Sequence, residues 1–339
     1  MEAETDVLTE GLRLRPLDRA DLGALVAIDR ASSGRARQGF FARRLDHAAR
    51  DPDAFAAFAA ERGGSFAGFV FARITEGEFG ATSREASLDA IGVDPALARG
   101  HGVGRALLGH LAATLRARGI GELSTQVDWT DPALLGFFSR TGFTLEPRIV
   151  LRRSSGDPLP VVAPTAPYTT EGDETDYSRT RDDAARLLAH DRLPVRSMTR
   201  EDLEAIVALD RRITGRSRAA YYAGKLDAAL GESGVRMSLV AERDGQPAGF
   251  IMARVDFGEF GHTEPEAVMD TIGVDPRHGH KGVATALLSQ LLTNLAALRT
   301  ESVRTEVGWN RFGLLSFLER MGFRPHRRLA LRLGLDRAP

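Results

Sequence analysis

Cysteine is absent from the 339 residues, which removes disulfide bonds, thiolate nucleophiles and cysteine zinc sites together. An excess of charge is lacking too: 45 Lys and Arg against 46 Asp and Glu leave a formal net charge of −1. Without a basic field, neither nucleic acid nor an anionic membrane surface is an expected partner. No apolar run approaches the roughly 20 residues that a membrane span needs. The first residues, Met1 to Asp6, lack the basic-then-apolar order of a signal peptide. The expectation is a soluble, cytoplasmic chain. His101, His278 and His280 show no ligand spacing with acidic partners, so no metal is expected. What is present is an ordinary globular mixture, 43% apolar and 27% charged, on a chain long enough for about two domains.

The chain repeats itself once. Leu88-Asp-Ala-Ile-Gly-Val-Asp-Pro95 returns as Met269-Asp-Thr-Ile-Gly-Val-Asp-Pro276, an offset of 272 − 91 = 181 positions. The same offset aligns Glu78-Phe-Gly80 with Glu259-Phe-Gly261, Gly34-Arg-Ala-Arg37 with Gly215-Arg-Ser-Arg218, and Asp29-Arg30 with Asp210-Arg211. After one deletion, Thr141-Gly-Phe143 falls on Met321-Gly-Phe323. A single repeat this long means two copies of a domain rather than a solenoid, whose units are about 20–50 residues. We place the copies at 11–153 and 191–333. Residues 154–190, with Pro158, Pro160, Pro164 and Pro167 and then a polar, charged run, read as a linker.

In the first copy, alternation predicts a strand at Leu12–Arg15. Helical spacing follows at Leu22–Asp29 and Phe40–Ala49, then strands at Phe55–Ala60, Phe66–Ile74 and Leu88–Val93. Leu107, Leu108, Leu111 and Leu115 make one apolar face of a helix over 105–118. A strand at Leu123–Val127 precedes a helix over 132–141, with Pro132 at its start and Gly142 past its end. A strand at Ile149–Arg152 closes the copy. Strands and helices in this order make an α+β domain around a mixed sheet.

Ahead of the long helix stands Arg99-Gly-His-Gly-Val-Gly104. The first N–H groups of a helix have no intrahelical partner and sit at the positive end of its dipole. Glycines bare those groups and permit positive φ, which suits a phosphate or pyrophosphate. A dinucleotide fingerprint would need glycine at Arg105, and no Gly-Lys-Ser/Thr of a P-loop occurs in this loop or its counterpart.

Val93-x-Pro95 followed by Arg99-Gly-His-Gly-Val-Gly104 resembles motif A of the GCN5-related N-acetyltransferase (GNAT) superfamily. Phe138-x-x-x-Gly142-Phe143 resembles the family's closing motif, and both features occur twice. The resemblance implies two tandem GNAT domains, acetyl-CoA as co-substrate, and acyl transfer to a small-molecule or peptide amine. It implies a pyrophosphate seat at Arg99, Gly100, His101, Gly102, Val103, Gly104 and Arg105. It also implies a pantetheine and thioester strand at Ile91 and Val93. The corresponding positions in the second copy are Ile272 and Val274, then Gly279, His280, Lys281, Gly282, Val283 and Ala284. That loop departs from the motif, with Gly279 at the usual Gln/Arg position and His280 for the first glycine. The first copy is therefore the expected tight binder.

An attacking amine must lose a proton, and a carboxylate is the usual base. Asp89 and Asp270 are candidates because alternation would put Asp89 on the side of Ile91 and Val93. Glu78 and Glu259, in Gly-Glu-Phe-Gly loops, are candidates for the acceptor mouth. Glu85 and Glu266 read as solvated or capping carboxylates. Arg35, Arg37, Arg216 and Arg218 read as charges flanking a helix whose aromatics pack inward, and Trp129 and Trp309 as core or cleft wall. The tyrosine that often protonates the leaving thiolate in this family is replaced by Phe138 and Leu318. That departure keeps open a second possibility, a protein that binds CoA as a sensor or scaffold without turnover.

Overall fold

The computed structural model describes residues 7–9, 11–34, 36–80, 83–97, 102–159, 193–231, 236–256, 258–261 and 266–335. Most of the linker, together with Arg35, Arg99, Gly100 and His101, lies outside them.

The first copy runs β1 (Val7–Thr9), β2 (Leu12–Pro16), α1 (Leu22–Ser33), α2 (Gln38–Arg50), β3 (Phe55–Arg62), β4 (Ser65–Glu76) and β5 (Arg84–Val93). It continues with α3 (Val103–Ala117), β6 (Glu122–Asp128), α4 (Pro132–Arg140), β7 (Thr144–Leu145) and β8 (Arg148–Ser154). The second copy runs β9 (Val195–Ser197), α5 (Leu203–Thr214), α6 (Ala219–Gly231), β10 (Arg236–Arg243), β11 (Gln246–Asp256) and β12 (Glu266–Val274). Then come α7 (Val283–Ala297), β13 (Ser302–Gly308), α8 (Phe312–Arg320), β14 (Arg324–Pro325) and β15 (Arg328–Gly334).

The described chain forms two compact units, and each takes a strand from the far copy. The first unit gathers residues 1–150, 256–265 and 326–339, and the second 151–255 and 266–325. The first sheet runs β1-β2-β3-β4-β5-β6-β15-β7, and the second β14-β8-β13-β12-β11-β10-β9. Strand β15 lies antiparallel to β6 from Arg328–Asp128 to Gly334–Glu122. In the second sheet β14 pairs with β8 at Arg324–Arg152 and Pro325–Leu151. The strand read at Ile149–Arg152 therefore forms, but it hydrogen-bonds in the second sheet. Two copies with the same alternation offer strands that fit either sheet.

In the first unit α3 lays Leu107, Leu111 and Leu115, all fully buried, on one face of the sheet. Each such burial contributes about 1.5–3 kcal/mol. The opposite face is covered by α1 and α2 through Leu25, Phe41 and Leu45 against Phe69 and Phe71. In the second unit Tyr222 of α6 and Leu209 of α5 pack on Phe250 and Met252 in the same way. Helix α4 starts where Asp131 accepts the N–H of Leu134 at 2.9 Å and stops at Gly142, φ 92°.

Each unit carries the same clamp near its start. Arg15 makes two 2.7 Å bonds to Asp21, and Arg196 makes two 2.7 Å bonds to Asp202. Burial works against the charge of Asp21, but the Arg15 guanidinium and the Asp18 N–H hold its carboxyl below the ordinary range. The Arg196 guanidinium does the same for Asp202 against opposing burial. A carboxyl lowered in the folded state contributes stability that is fully present above its unfolded value of about 3.9. That contribution fades as pH falls through the lower folded-state value. Asp21→Asn combined with Asp202→Asn should therefore flatten the acid limb of a stability-against-pH curve measured by urea unfolding. An unchanged acid limb counts against the clamps.

Candidate active site

The glycine loop starts from β5, whose end is fixed by the Asp94 N–H on the Ala67 carbonyl at 2.9 Å. Arg62 holds the Leu97 carbonyl at 3.2 Å. The chain enters α3 through Gly102 in the left-handed region, φ 72°, and the Gly102 carbonyl receives the Ala106 N–H at 2.9 Å. A Cβ on Gly102 would meet nothing within 4 Å among the described residues. Gly104 also has a packing reason to be glycine. Its missing Cβ makes room for the Phe137 ring, which would stand 3.3 Å away. Val103 is buried and Arg105 is exposed.

The second unit builds the same entry. Gly282 has φ 80°, and its carbonyl takes the Ala286 N–H at 2.9 Å. His280 adopts φ 57° where the first copy has glycine. Lys281 is exposed and donates to the Arg277 carbonyl at 2.9 Å. Asp275 is wholly buried and braces the loop: Arg277 bonds it at 2.8 Å and Arg212 at 2.9 Å. The Arg277 guanidinium, with that residue's own N–H and Arg212, holds the Asp275 carboxyl well below the usual range against the cost of burial. Val283 is buried; Gly279, Ala284, Ile272 and Val274 are half-buried.

Beside each loop the central strands part. Strands β5 and β6 run parallel but pair only at Ala86–Leu123 and Ser87–Ser124. In the second unit β12 and β13 pair at Glu266–Ser302, Ala267–Val303 and Val268–Arg304. Past the short ladder, the Thr125 hydroxyl donates to the Leu88 carbonyl at 3.0 Å.

A β-bulge overturns the placement of Asp89. The register of β4 with β5 steps from Phe71–Ala90 to Ala72–Leu88, leaving Asp89 unpaired. A bulge adds one residue and flips the alternation beyond it. Ile91 and Val93 consequently pack on the α3 side, whereas Ala90 faces α1 and α2. Asp89 does not share the side of Ile91 and Val93. It lies 3.1 Å from Arg44 of α2 and 3.5 Å from Arg73 of β4.

Within the first unit Glu259 joins this cluster. Its carboxylate is fully buried and lies 2.6 Å from Arg44 and 3.0 Å from Arg73. Glu78 lies 3.6 Å from Arg73. The Glu259 loop is seated by Arg37 on the Gly258 carbonyl at 2.5 Å and Arg328 on the Phe260 carbonyl at 2.8 Å. The first unit thus gathers Asp89, Glu78 and Glu259 around two guanidiniums. Asp270, in the second unit, instead meets Lys225 at 2.5 Å and the Tyr221 hydroxyl at 3.2 Å.

Several sequence readings change. Glu266 is not solvated: it is buried between Arg152 at 3.0 Å and Arg304 at 2.9 Å. Glu85 is half-buried opposite Arg148 at 3.9 Å. Trp129 and Trp309 are not core; they are 59% and 54% exposed at the ends of β6 and β13. Phe138 and Leu318 are buried in their cores. Arg37 and Arg218 pair with Asp29 and Asp210 while the neighbouring aromatics pack inward, as expected. Arg216 is exposed. Arg44, Arg73, Lys225 and Thr271 escaped the sequence reading, and Tyr221 was read there only as one of the inward-packing aromatics. A signal existed, because Arg44 aligns with Lys225 and Arg73 with Arg254, keeping a cation at both positions. Among the described residues, no group of three His, Asp or Glu could hold a metal ion, and no helix is long and apolar enough to cross a membrane.

A mixed sheet whose central parallel strands part beside a left-handed glycine at a helix start defines an acyltransferase-type fold, here present twice. The chain belongs to the Acetyltransferase (GNAT) family, whose model matches residues 24–143 and 203–323. It is similar to a mycothiol acetyltransferase of Thermobispora bispora, 34% identical over 144 residues. That match covers 40% of this chain and 48% of the relative, so it spans about half of the relative's length. Among solved structures, a tandem GNAT protein from the clavulanic acid biosynthesis pathway has a TM-score of 0.63 at 18% identity, covering 97% of this chain and 100% of that one. A GCN5-related N-acetyltransferase from Sphaerobacter thermophilus has a TM-score of 0.60 at 16% identity, covering 98% of each chain. At these identities the structures establish the shared fold.

Proposed function

We propose that the chain is an N-acetyltransferase that takes its acetyl group from acetyl-CoA and passes it to a small-molecule or peptide amine by direct attack. The observation that carries this reading is the pair of left-handed glycines, Gly102 and Gly282, each opening a long helix, with no described atom within 4 Å of where a Cβ on Gly102 would stand. Such a helix start suits a pyrophosphate. The parted strands beside it leave backbone N–H groups near Ile91–Val93 and Ile272–Val274 to polarise a thioester carbonyl. In the first unit Arg105 stands exposed beside the seat, able to add charge-assisted contact.

A second reading has a specific observation behind it. In the first unit Asp89 is held by two guanidiniums, which do not give up protons, and Phe138 has no proton to donate. That unit reads as a CoA-binding domain without turnover. Calorimetric titration with CoA and release of free CoA from acetyl-CoA across an amine panel test both readings. Binding with turnover supports the enzyme. Binding without turnover supports the sensor, and no binding refutes both.

A further inference from the structure

Resting on the acetyl-transfer reading, we infer that the second copy carries its own proton relay, Tyr221–Thr271–Asp270–Lys225, which does the work of the tyrosine missing at Leu318. At the aligned positions the first copy has Phe40, Ala90, Asp89 and Arg44. The second copy therefore adds a phenol, a hydroxyl and an ammonium to a place where the first buries a phenyl, a methyl and a guanidinium.

These groups are buried and bonded to one another. Tyr221 is 5% exposed, Thr271 8% and Asp270 3%. The Tyr221 and Thr271 oxygens are 2.7 Å apart, so one hydroxyl donates to the other; Asp270 Oδ1 stands 3.2 Å from Tyr221 and 3.1 Å from Thr271 and accepts from the hydroxyl whose hydrogen remains. Lys225 donates to Asp270 Oδ2 at 2.5 Å. Arg218, just before α6, faces the Tyr221 ring at 5.3 Å and is itself paired with Asp210 of α5. Burying two hydroxyls is costly unless they are bonded, and an apolar pair already fills this position in the first copy. Phenol, ammonium and carboxyl can each exchange a proton, whereas the guanidiniums around Asp89 cannot. Thr271 also directly precedes Ile272, one of the two β12 residues that the family resemblance assigns to the thioester.

The transfer balances. As the neutral amine bonds to the acetyl carbon, its proton passes to Asp270. As the carbon–sulfur bond breaks, the Tyr221 hydroxyl gives its proton to the thiolate. The proton on Asp270 then returns to the Tyr221 oxygen. The net movement is one proton from nitrogen to sulfur, with the relay restored.

The test uses the full chain, acetyl-CoA and hydroxylamine, an acceptor small enough to enter a site of any shape, with release of free CoA thiol as the readout. The double variant Tyr221→Phe/Thr271→Ala reproduces the first copy's apolar pair and is expected to fold. Its kcat should fall at least about a hundredfold, the lower end of what proton transfer by a placed side chain contributes, while KM for acetyl-CoA and the melting temperature stay near wild type. Tyr221→Phe alone should show most of the fall. Unchanged kcat, or a change confined to KM, overturns the relay and leaves acetyl transfer standing. No thiol release by the wild type above the uncatalysed rate overturns both.

Discussion

Arg304→Ala should lower the stability of the second unit by about 3–5 kcal/mol, the usual result of stripping one partner from a buried ion pair. Arg304 is 2% exposed and Glu266 4%, and they meet at 2.9 Å beside the parallel ladder that opens β12 and β13. Removing the guanidinium takes a buried charge from Glu266, whose other partners include Arg152, 40% exposed, and the Ser302 hydroxyl at 3.2 Å. Arg304→Met together with Glu266→Leu should recover most of the loss, because the buried carboxylate goes with its guanidinium and only the more distant Glu306, 4.0 Å from Arg304, keeps its charge. The first copy shows that the pair is dispensable to the fold: Ser124 stands at the position aligned with Arg304, and it bonds the Ala86 carbonyl. Urea unfolding of the single and double variants measures both quantities. A single variant within about 1 kcal/mol of wild type would show that the charges are relaxed by solvent.

Gly102→Val should weaken CoA binding at least tenfold, about 1.4 kcal/mol, with Gly282→Val doing the same for the second loop. Two effects act together. A β-branched residue at φ 72° or 80° is strained, so the helix start shifts away from its shape. The added side chain also fills the space that is open at Gly102, at the mouth of the helix. Gly109→Ala is the control. It lies on the exposed side of α3 with nothing within 4 Å of the new Cβ, and should leave binding unchanged while slightly stabilising the helix. Calorimetry on the three variants decides the matter. Binding that survives at both loops would remove the anion seat from the proposal.

The loop was legible because its chemistry is local. A glycine before a leucine-rich helix says what its backbone must do before any neighbour is known. The partners of Asp89 were not legible, because one unpaired residue in β5 reverses the face of everything after it, and no pattern in the strand marks the slip. Glu259 was singled out from its loop, yet its partners Arg44 and Arg73 stand 215 and 186 positions away. Glu266 was misjudged for a related reason: its partner Arg304 comes from a neighbouring strand.

The sequence by itself determined that there are two copies, where their strands and helices fall, and which backbone positions need glycine. Spacing and periodicity act over a few residues, so they survive without tertiary context. Only the tertiary structure decided which sheet receives each closing strand, since β8 and β15 carry patterns that suit either sheet and pairing selects between them. It also decided that Asp89 meets guanidiniums while Asp270 meets a phenol and an ammonium, because charge neighbours are set by packing across elements rather than by order along the chain.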